Sequence, residues 1–148
     1  MSSMVFRQNT QTVQQITEHL LKANKSFRPP LDSYIDIEEY AQKLFDKAIN
    51  FEALESEVLI GLIAGYHNTE EKMFYVSNVS VDPDFQDQGI ARKLFENLYV
   101  YSQQNQIQTI KLQVFEQNKP AVQLYQNLGF DILLREKDCL TLIKTIHE

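Results

Sequence analysis

The 148-residue sequence has a single cysteine, Cys139, no basic excess and no long apolar run. One cysteine excludes an intrachain disulfide framework and fits a reducing compartment. Its alternating context, C-L-T-L-I, favours a small core residue over a reactive thiol. No apolar run approaches the roughly 18–20 residues of a membrane span, and the first residues do not read as a signal peptide. We therefore expect a cytoplasmic protein with no membrane partner.

Charge and metal-ligand spacing exclude two further classes of partner. Fourteen Lys and Arg residues against twenty Asp and Glu residues give a formal net charge of −6. Because no basic stripe stands out, we expect no nucleic-acid partner. The histidines (His19, His67 and His147) and the cysteine lack metal-ligand spacing, so we expect no metal. The length and the 43% hydrophobic content predict one domain over residues 1–148.

Hydrophobic periodicity predicts four helices and seven strands. The predicted helices are 10–24, a second one beginning after the N-cap Asp36, 89–105 and 119–128. The predicted strands are 4–7, 51–54, 58–66, 73–81, 107–115, 130–136 and 139–146. Short polar turns join the second, third and fourth strands, which predicts an antiparallel meander. Residues 58–64 are apolar on both faces, as in a central covered strand. The fold class is α/β (α+β), with a mixed, mostly antiparallel twisted sheet covered by about four helices.

The first stretch with functional meaning runs from Val79 to Arg92, V-S-V-D-P-D-F-Q-D-Q-G-I-A-R. It predicts a strand, a tight loop and a helix N-terminus, which together present free backbone N–H groups to an anion. Gly89 permits positive φ and close backbone approach, and Ala91 keeps the first helical turn small. The loop lacks the lysine and Ser/Thr of a nucleotide P-loop. A bound diphosphate and an ordinary strand–helix turn both remain compatible with this pattern.

The second stretch is Asn118 to Phe130, N-K-P-A-V-Q-L-Y-Q-N-L-G-F. Asn118 is a natural N-cap and Gly129 suits the C′ position, so helix punctuation alone explains both. Tyr125 follows Asn118 by nearly two helical turns and therefore faces the same way. Its side chain is either a core tyrosine or a phenol that donates a proton to a leaving group.

Taken together, the two stretches resemble the GNAT superfamily of acetyl-CoA-dependent N-acyltransferases. The resemblance rests on V-S-V-D-P followed by Gln86-x-x-Gly89-x-Ala91, and on N-x-x-A-x-x-L-Y-x-x-x-G-F from Asn118 to Phe130. Spacing and element order agree over about residues 51–148. The resemblance implies a GNAT-like single domain that uses acetyl-CoA as acyl donor.

The resemblance also implies roles for particular residues. The backbone of Val79 and Val81 would hydrogen-bond the acetyl carbonyl and the pantetheine arm. Asn118 would contact CoA, and Tyr125 would act as general acid to the departing thiolate. The residues that would hold the pyrophosphate are Asp87, Gln88, Gly89, Ile90, Ala91 and Arg92.

No side chain in the sequence is a convincing general base. Some relatives place a glutamate where this chain has Gln113, which cannot accept the proton of the acceptor amine. Glu116 is one alternative, and Asn78 is another, because it could hold a water that relays the proton. Phe27 and Tyr34 would line the acceptor site, although ordinary loop packing explains them equally well.

The expected activity is acetyl transfer to a primary amine of a small molecule by direct attack, without a covalent enzyme intermediate. A non-catalytic acyl-CoA-binding module is the main alternative. Acetylation of a protein N-terminus or of a sugar hydroxyl also remains open. A homodimer is compatible with the resemblance, but no residue in the sequence indicates an interface.

Overall fold

The computed structural model describes residues 4–27 and 29–146, and His147 therefore lies outside the described residues. The strands are β1 (Met4–Gln8), β2 (Ile49–Glu55), β3 (Val58–Asn68), β4 (Met73–Val81), β5 (Thr109–Phe115), β6 (Asp131–Glu136) and β7 (Cys139–Thr145). The α-helices are α1 (Val13–Ala23), α2 (Ile37–Lys47), α3 (Ile90–Gln104) and α4 (Lys119–Asn127). Within the described residues, no helix has the length and apolar character needed to cross a membrane.

All seven strands form one sheet in the order β1-β2-β3-β4-β5-β7-β6. Neighbouring strands are antiparallel except for β4 and β5, which are parallel. The consecutive antiparallel pairs β2–β3 and β3–β4 confirm the predicted meander. The mixed, mostly antiparallel sheet and its helices confirm the predicted fold class.

Two apolar cores lie on opposite faces of the sheet. One core joins α1 and α2 to the sheet through residues such as Leu20 and Leu44. The other joins α3 and α4 to the opposite face and includes Leu94 and Tyr125. Strand β3 supplies buried side chains to both cores, as its two-faced apolar sequence predicted. A strand covered on both faces gives the sheet a rigid centre next to β4.

Side-chain caps mark the starts of three of the four α-helices, and α3 is the exception. Thr12 caps α1 in a capping box with Gln15, Asp36 caps α2, and Asn118 caps α4. Such caps satisfy backbone N–H groups that have no partner within the helix. Helix α3 begins instead after Gly89, which has no side chain to serve as a cap. Its first N–H groups are therefore open to another partner.

Two predictions about the helices need correction. Helix α1 begins at Val13 because the backbone N–H of Thr10 donates to the carboxylate of the buried Glu52, which holds the chain before Thr12 outside the helix. The predicted buried face of α2 was also too wide. The helical spacing of the apolar residues predicts one buried face, made of Ile37, Tyr40, Ala41, Leu44, Phe45 and Ala48. Phe45 is 49% exposed, because only the narrower stripe containing Ala41 packs on the sheet.

Candidate active site

A cleft opens where β4 and β5 separate. The two strands pair only from Met73 to Val76 on β4, whereas β3 stays paired with β4 as far as Val81. Along residues 77–81 the side of β4 that faces β5 has no strand partner among the described elements. The cleft has a volume of about 810 Å³, which lies within the usual size range of small-molecule sites.

A β-bulge in β4 lies at this opening. Asn78 pairs with Ala64 and Val76 pairs with Gly65, so that Ser77 is an extra residue in the strand. Bulges bend a strand and reorient the side chains that follow. The bulge shifts the phase of the apolar alternation, since Phe74 and Val76 before it and Val79 and Val81 after it pack on the same core.

The bulge sets the direction of the two valines predicted to hold the acyl donor. Val79 and Val81 pack against the core beneath α3, and both line the cleft. The intervening Ser80 is buried and belongs to a polar cluster that reaches α1. The structure therefore places the backbone of residues 79–81 along the cleft wall, at the position expected from sequence.

The loop before α3 forms one end of the cleft. Asp87 and Gly89 both adopt left-handed backbone conformations, with φ values of 64° and 77°. The first intrahelical bond runs from the Lys93 N–H to the Gly89 carbonyl, so the preceding N–H groups lack intrahelical partners. The predicted residues that line this end are Asp87, Gly89, Ile90, Ala91 and Arg92. Gln88 is exposed and lies outside the lining residues.

Positive charge accumulates at the same end. The side chain of Gln86 donates to the Ser26 hydroxyl at 3.0 Å, which brings the segment after α1 against the loop. Lys25 and Arg92 both line this part of the cleft. Two cations and a helix N-terminus favour a bound anion.

Tyr125 fits both interpretations that the sequence left open, a core tyrosine and a phenol at the site. Its ring packs in the core, with its centroid 6.0 Å from the ring of Phe95 and 6.0 Å from that of Phe130. The residue also lines the cleft. Within the described part of the chain its hydroxyl has no hydrogen-bond partner. Burial raises the pKa of Tyr125, so the phenol is protonated at physiological pH and has a proton to donate.

Asn118 lies at the start of the same helix and also lines the cleft. Its side-chain oxygen accepts a bond from the Ala121 N–H at 3.4 Å, as predicted for an N-cap. The amide nitrogen is therefore the part of Asn118 that is available to a ligand.

Asn78 belongs to a buried polar chain that the sequence analysis did not find. Its Nδ2 donates to the Leu62 carbonyl at 3.4 Å and to the Ser80 hydroxyl at 2.8 Å. Since a carbonyl only accepts, these contacts fix the amide orientation. Ser80 in turn lies 2.8 Å from Nε2 of His19 on α1. The Oδ1 of Asn78 is buried and has no partner among the described residues.

His19 is held neutral in this chain. Burial lowers the pKa of His19 to about 4, and the neighbouring Asp82 raises it only in part. In the neutral imidazole one ring nitrogen is a donor and the other an acceptor, so Nε2 either accepts from or donates to the Ser80 hydroxyl, and Nδ1 is buried without a partner among the described residues. The sequence offered one signal for this cluster, since Ser77, Asn78 and Ser80 are polar residues in an otherwise apolar strand.

The low pKa of His19 predicts a stability change with pH. Between about pH 6.5 and about pH 4 the unfolded chain binds a proton at His19 that the folded chain does not. The free energy of unfolding should therefore fall as pH decreases through this range, by up to about 1.4 kcal/mol per pH unit from this group. Replacing His19 by Gln should flatten this slope, as measured by urea unfolding at pH 7, 6 and 5. Identical slopes for the two proteins would contradict the assignment.

The other end of the cleft is lined by aromatic and neutral polar groups. Tyr34 lines it, and the Tyr34 ring lies edge-on to Phe115 with centroids 5.7 Å apart. Two hydrogen-bonded pairs that the sequence analysis missed complete this end. They are Tyr40 with Ser77 at 2.6 Å, and Tyr75 with Gln113 at 3.4 Å. Phe27 also lines the cleft and directly follows Ser26, whose hydroxyl accepts from Gln86 of the loop before α3.

Of the two alternatives considered from sequence, Asn78 lines the cleft but is not itself a base, and Glu116 is not available there. Glu116 forms an ion pair with Arg135 at 3.1 Å and lies outside the lining residues. His67 contacts Tyr101, also outside the lining. Cys139 does line the cleft, but burial raises its pKa and keeps it a thiol. In residues 4–27 and 29–146 no group of His, Cys, Asp and Glu side chains could hold a metal ion.

Comparison with known proteins assigns the family. The model of the acetyltransferase (GNAT) family matches residues 13–130. This range includes both the loop before α3 and helix α4. The chain belongs to the acetyltransferase (GNAT) family.

The chain is similar to several named acetyltransferases. It is 41% identical over 54 residues to the [ribosomal protein bS18]-alanine N-acetyltransferase of Escherichia coli strain K12, covering 36% of each chain. It is 36% identical over 83 residues to the mycothiol acetyltransferase of Thermobifida fusca strain YX, covering 49% of this chain and 26% of that protein. The chain thus spans about a third of the length of the first of these relatives and a quarter of the second.

The solved structures show the same fold. The PaiA N-acetyltransferase from Thermoplasma acidophilum, crystallised with coenzyme A, superposes with a TM-score of 0.76 at 14% identity. The superposition covers 97% of this chain and 99% of that one. At this level of identity the likeness concerns the fold alone.

Proposed function

We propose that this protein is an acetyl-CoA-dependent N-acetyltransferase whose acceptor is a primary amine of a small molecule. One observation carries the proposal: a single cleft joins the uncapped N-terminus of α3 to the phenol of Tyr125. Family membership supports acetyl-CoA as the acyl donor. The names of the relatives describe both protein and small-molecule acceptors, so the choice between them depends on the cleft itself.

The residues of the cleft fit acetyl-CoA. The N–H groups of Ile90, Ala91 and Arg92 would hold the pyrophosphate, with Lys25 adding a charge at the same end. The open backbone edge of residues 77–81 matches a pantetheine arm, which carries amide groups that need hydrogen-bond partners. The amide nitrogen of Asn118 would contribute from the opposite wall.

Acetyl-CoA supplies a thioester whose carbonyl carbon takes up the amine nitrogen as the C–S bond breaks and CoA leaves as a thiol. Tyr125 would hold a proton at its hydroxyl oxygen for the departing sulfur. The protein would provide orientation through the wall formed by β4, which places the two reactants next to each other.

The acceptor must lose a proton, and the cleft offers only a neutral route. We assign to Asn78 the role of holding water through its Oδ1, because this buried oxygen has no partner and its amide is fixed by Leu62 and Ser80. An unsatisfied buried acceptor costs about 1–3 kcal/mol, so a water that donates to it is favoured. Such a water would pass the amine proton to solvent.

The first test is a thermal-shift titration with acetyl-CoA, followed by release of free thiol with a panel of amines. Acetyl-CoA at about 100 times its Kd should add roughly 2.7 kcal/mol, a shift of about 5–10 °C at this size. Ala91→Asp, which places a carboxylate among the free N–H groups, should abolish the shift. Val100→Asp on the exposed face of the same helix is the matched control. A flat response of the unmodified protein at millimolar acetyl-CoA would refute the proposal.

A non-catalytic acyl-CoA-binding module is the second candidate. Among the described lining residues there is no imidazole, and the carboxylate is that of Asp87 in the loop before α3, away from Tyr34, Tyr75 and Gln113, which favours this candidate. A thermal shift with acetyl-CoA and no thiol release with any amine or peptide would select this candidate.

A further inference from the structure

The acceptor end of the cleft carries no charge. We define this end by Tyr34, Tyr40, Tyr75, Ser77, Gln113 and Phe115, which line the cleft and contact one another in pairs. Burial raises the pKa of each of the three tyrosines, so all three phenols are neutral at physiological pH. Gln113 carries the only side-chain amide among these six residues, and an amide is neutral at physiological pH.

All charged groups among the described lining residues lie elsewhere. Lys25, Asp87 and Arg92 belong to the end formed by the loop before α3. Strand β4 runs from Tyr75 at the acceptor end to Val81 at the loop, and six residues of strand span about 20 Å. A cation at the acceptor end is therefore well beyond the Debye length of about 8 Å from Asp87.

The nearest acidic side chain along β5 is also unavailable. Glu116 follows Phe115 directly, but its carboxylate is 3.1 Å from the guanidinium of Arg135. A second ammonium on the acceptor would thus meet rings and neutral polar groups but no carboxylate among the described lining residues of this end. Tyr34 is 51% exposed, so the ammonium would keep part of its hydration. Cation–π contacts with the rings would replace only part of the water that it loses.

We propose that the acceptor is a small primary amine with an apolar body and a single nitrogen, and that polyamines and aminosugars are poor substrates. This inference rests on the proposed acetyltransferase function and narrows it. The rings of the acceptor end would pack against the apolar body, and the reacting nitrogen would point toward residues 77–81. Polycationic acceptors need anionic partners that this end does not supply.

The test compares amines that differ only in a second charge. n-Butylamine and 1,4-diaminobutane have the same chain length, and 2-phenylethylamine, spermidine and kanamycin extend the series. We expect kcat/KM for n-butylamine to exceed that for the diamine at least about tenfold, with 2-phenylethylamine the best of the five. A diamine, spermidine or kanamycin that is acetylated as well as the monoamines would overturn the proposal. So would turnover of a short peptide α-amino group in preference to every monoamine.

A charge-inserting variant sharpens the comparison. Gln113→Glu places a carboxylate at the acceptor end and should raise kcat/KM for 1,4-diaminobutane relative to n-butylamine by about tenfold or more. Gln123→Glu on the exposed face of α4 makes the same change in net charge outside the cleft and should leave the ratio unchanged. Equal ratios in the two variants would contradict the placement of the acceptor.

Failure of this inference differs from failure of the proposed function. If acetyl-CoA gives no thermal shift and no amine or peptide releases thiol, the acetyltransferase assignment fails. If thiol is released with spermidine, kanamycin or a peptide but not with the monoamines, the assignment stands and only the acceptor class is wrong.

Discussion

Replacing Tyr125 by Phe should lower kcat by about 10²–10⁴-fold, the usual contribution of a positioned proton donor. The substitution removes only the hydroxyl group, which has no partner among the described residues. The ring contacts with Phe95 and Phe130 are retained, so the core beneath the cleft stays packed. Binding of acetyl-CoA should remain close to that of the unmodified protein, because the helix N-terminus and the β4 backbone are unchanged.

The matched control for this experiment is Tyr99→Phe. Tyr99 also packs on Phe95, with ring centroids 6.1 Å apart, and its hydroxyl is buried without a partner among the described residues. It lies outside the lining of the cleft. Steady-state kinetics and the acetyl-CoA thermal shift should be measured for both variants. If kcat of Tyr125→Phe matches that of Tyr99→Phe, Tyr125 has no role as proton donor.

The sequence predicted the elements well because local signals determine them. The caps at Asp36 and Asn118 and the glycine before α3 all lie within a residue or two of the helix starts. The two-faced apolar run in β3 predicted its central place in the sheet. These features depend on period, capping and turn chemistry, which act over a few neighbouring residues.

The parts of the candidate site that lie in one continuous stretch could be predicted from the sequence. The parts assembled from residues far apart in the chain could not. The loop proposed to hold the pyrophosphate is one continuous stretch, and its predicted residues line the cleft except for Gln88. The polar chain from Asn78 to His19 joins residues that are 59 positions apart, and no spacing rule connects them. The neutral acceptor end likewise depends on which side chains β4, β5 and α2 bring together.

Strand separation is the feature that sequence could least predict. Nothing in the apolar alternation of β4 or β5 shows that their pairing stops after Val76, yet the cleft depends on it. The bulge at Ser77 leaves only a weak signal in the sequence, a step of three residues between the apolar Val76 and Val79 where the strand period is two. The sequence does contain a glycine at position 65. That glycine indicates a close approach of another residue only when its neighbour across the sheet is known.

Gly65→Ala should destabilise the fold by at least about 3 kcal/mol, at the upper end of the cost of overpacking. A Cβ at this position would collide with the ring of Phe74, lying 2.8 Å from its Cζ, and with the backbone carbonyl of Tyr75. The Phe74 ring is fully buried between Phe51 and Tyr101, and a strand carbonyl cannot swing aside. The clash must therefore be relieved by moving β4.

Because Gly65 pairs with Val76, next to the bulge, that movement should displace residues 77–81 and weaken acetyl-CoA binding along with stability. Thermal unfolding should show a decrease in Tm of about 6–12 °C. Gly129→Ala is the control: its backbone is left-handed at φ 95°, unlike that of Gly65, and the new Cβ would meet only the flexible end of Lys144. It should cost about 1–2 kcal/mol and leave the acetyl-CoA shift intact. A Gly65→Ala protein as stable as Gly129→Ala would mean that β4 yields easily at the bulge, and that the open strand edge is not a rigid platform for the acyl donor.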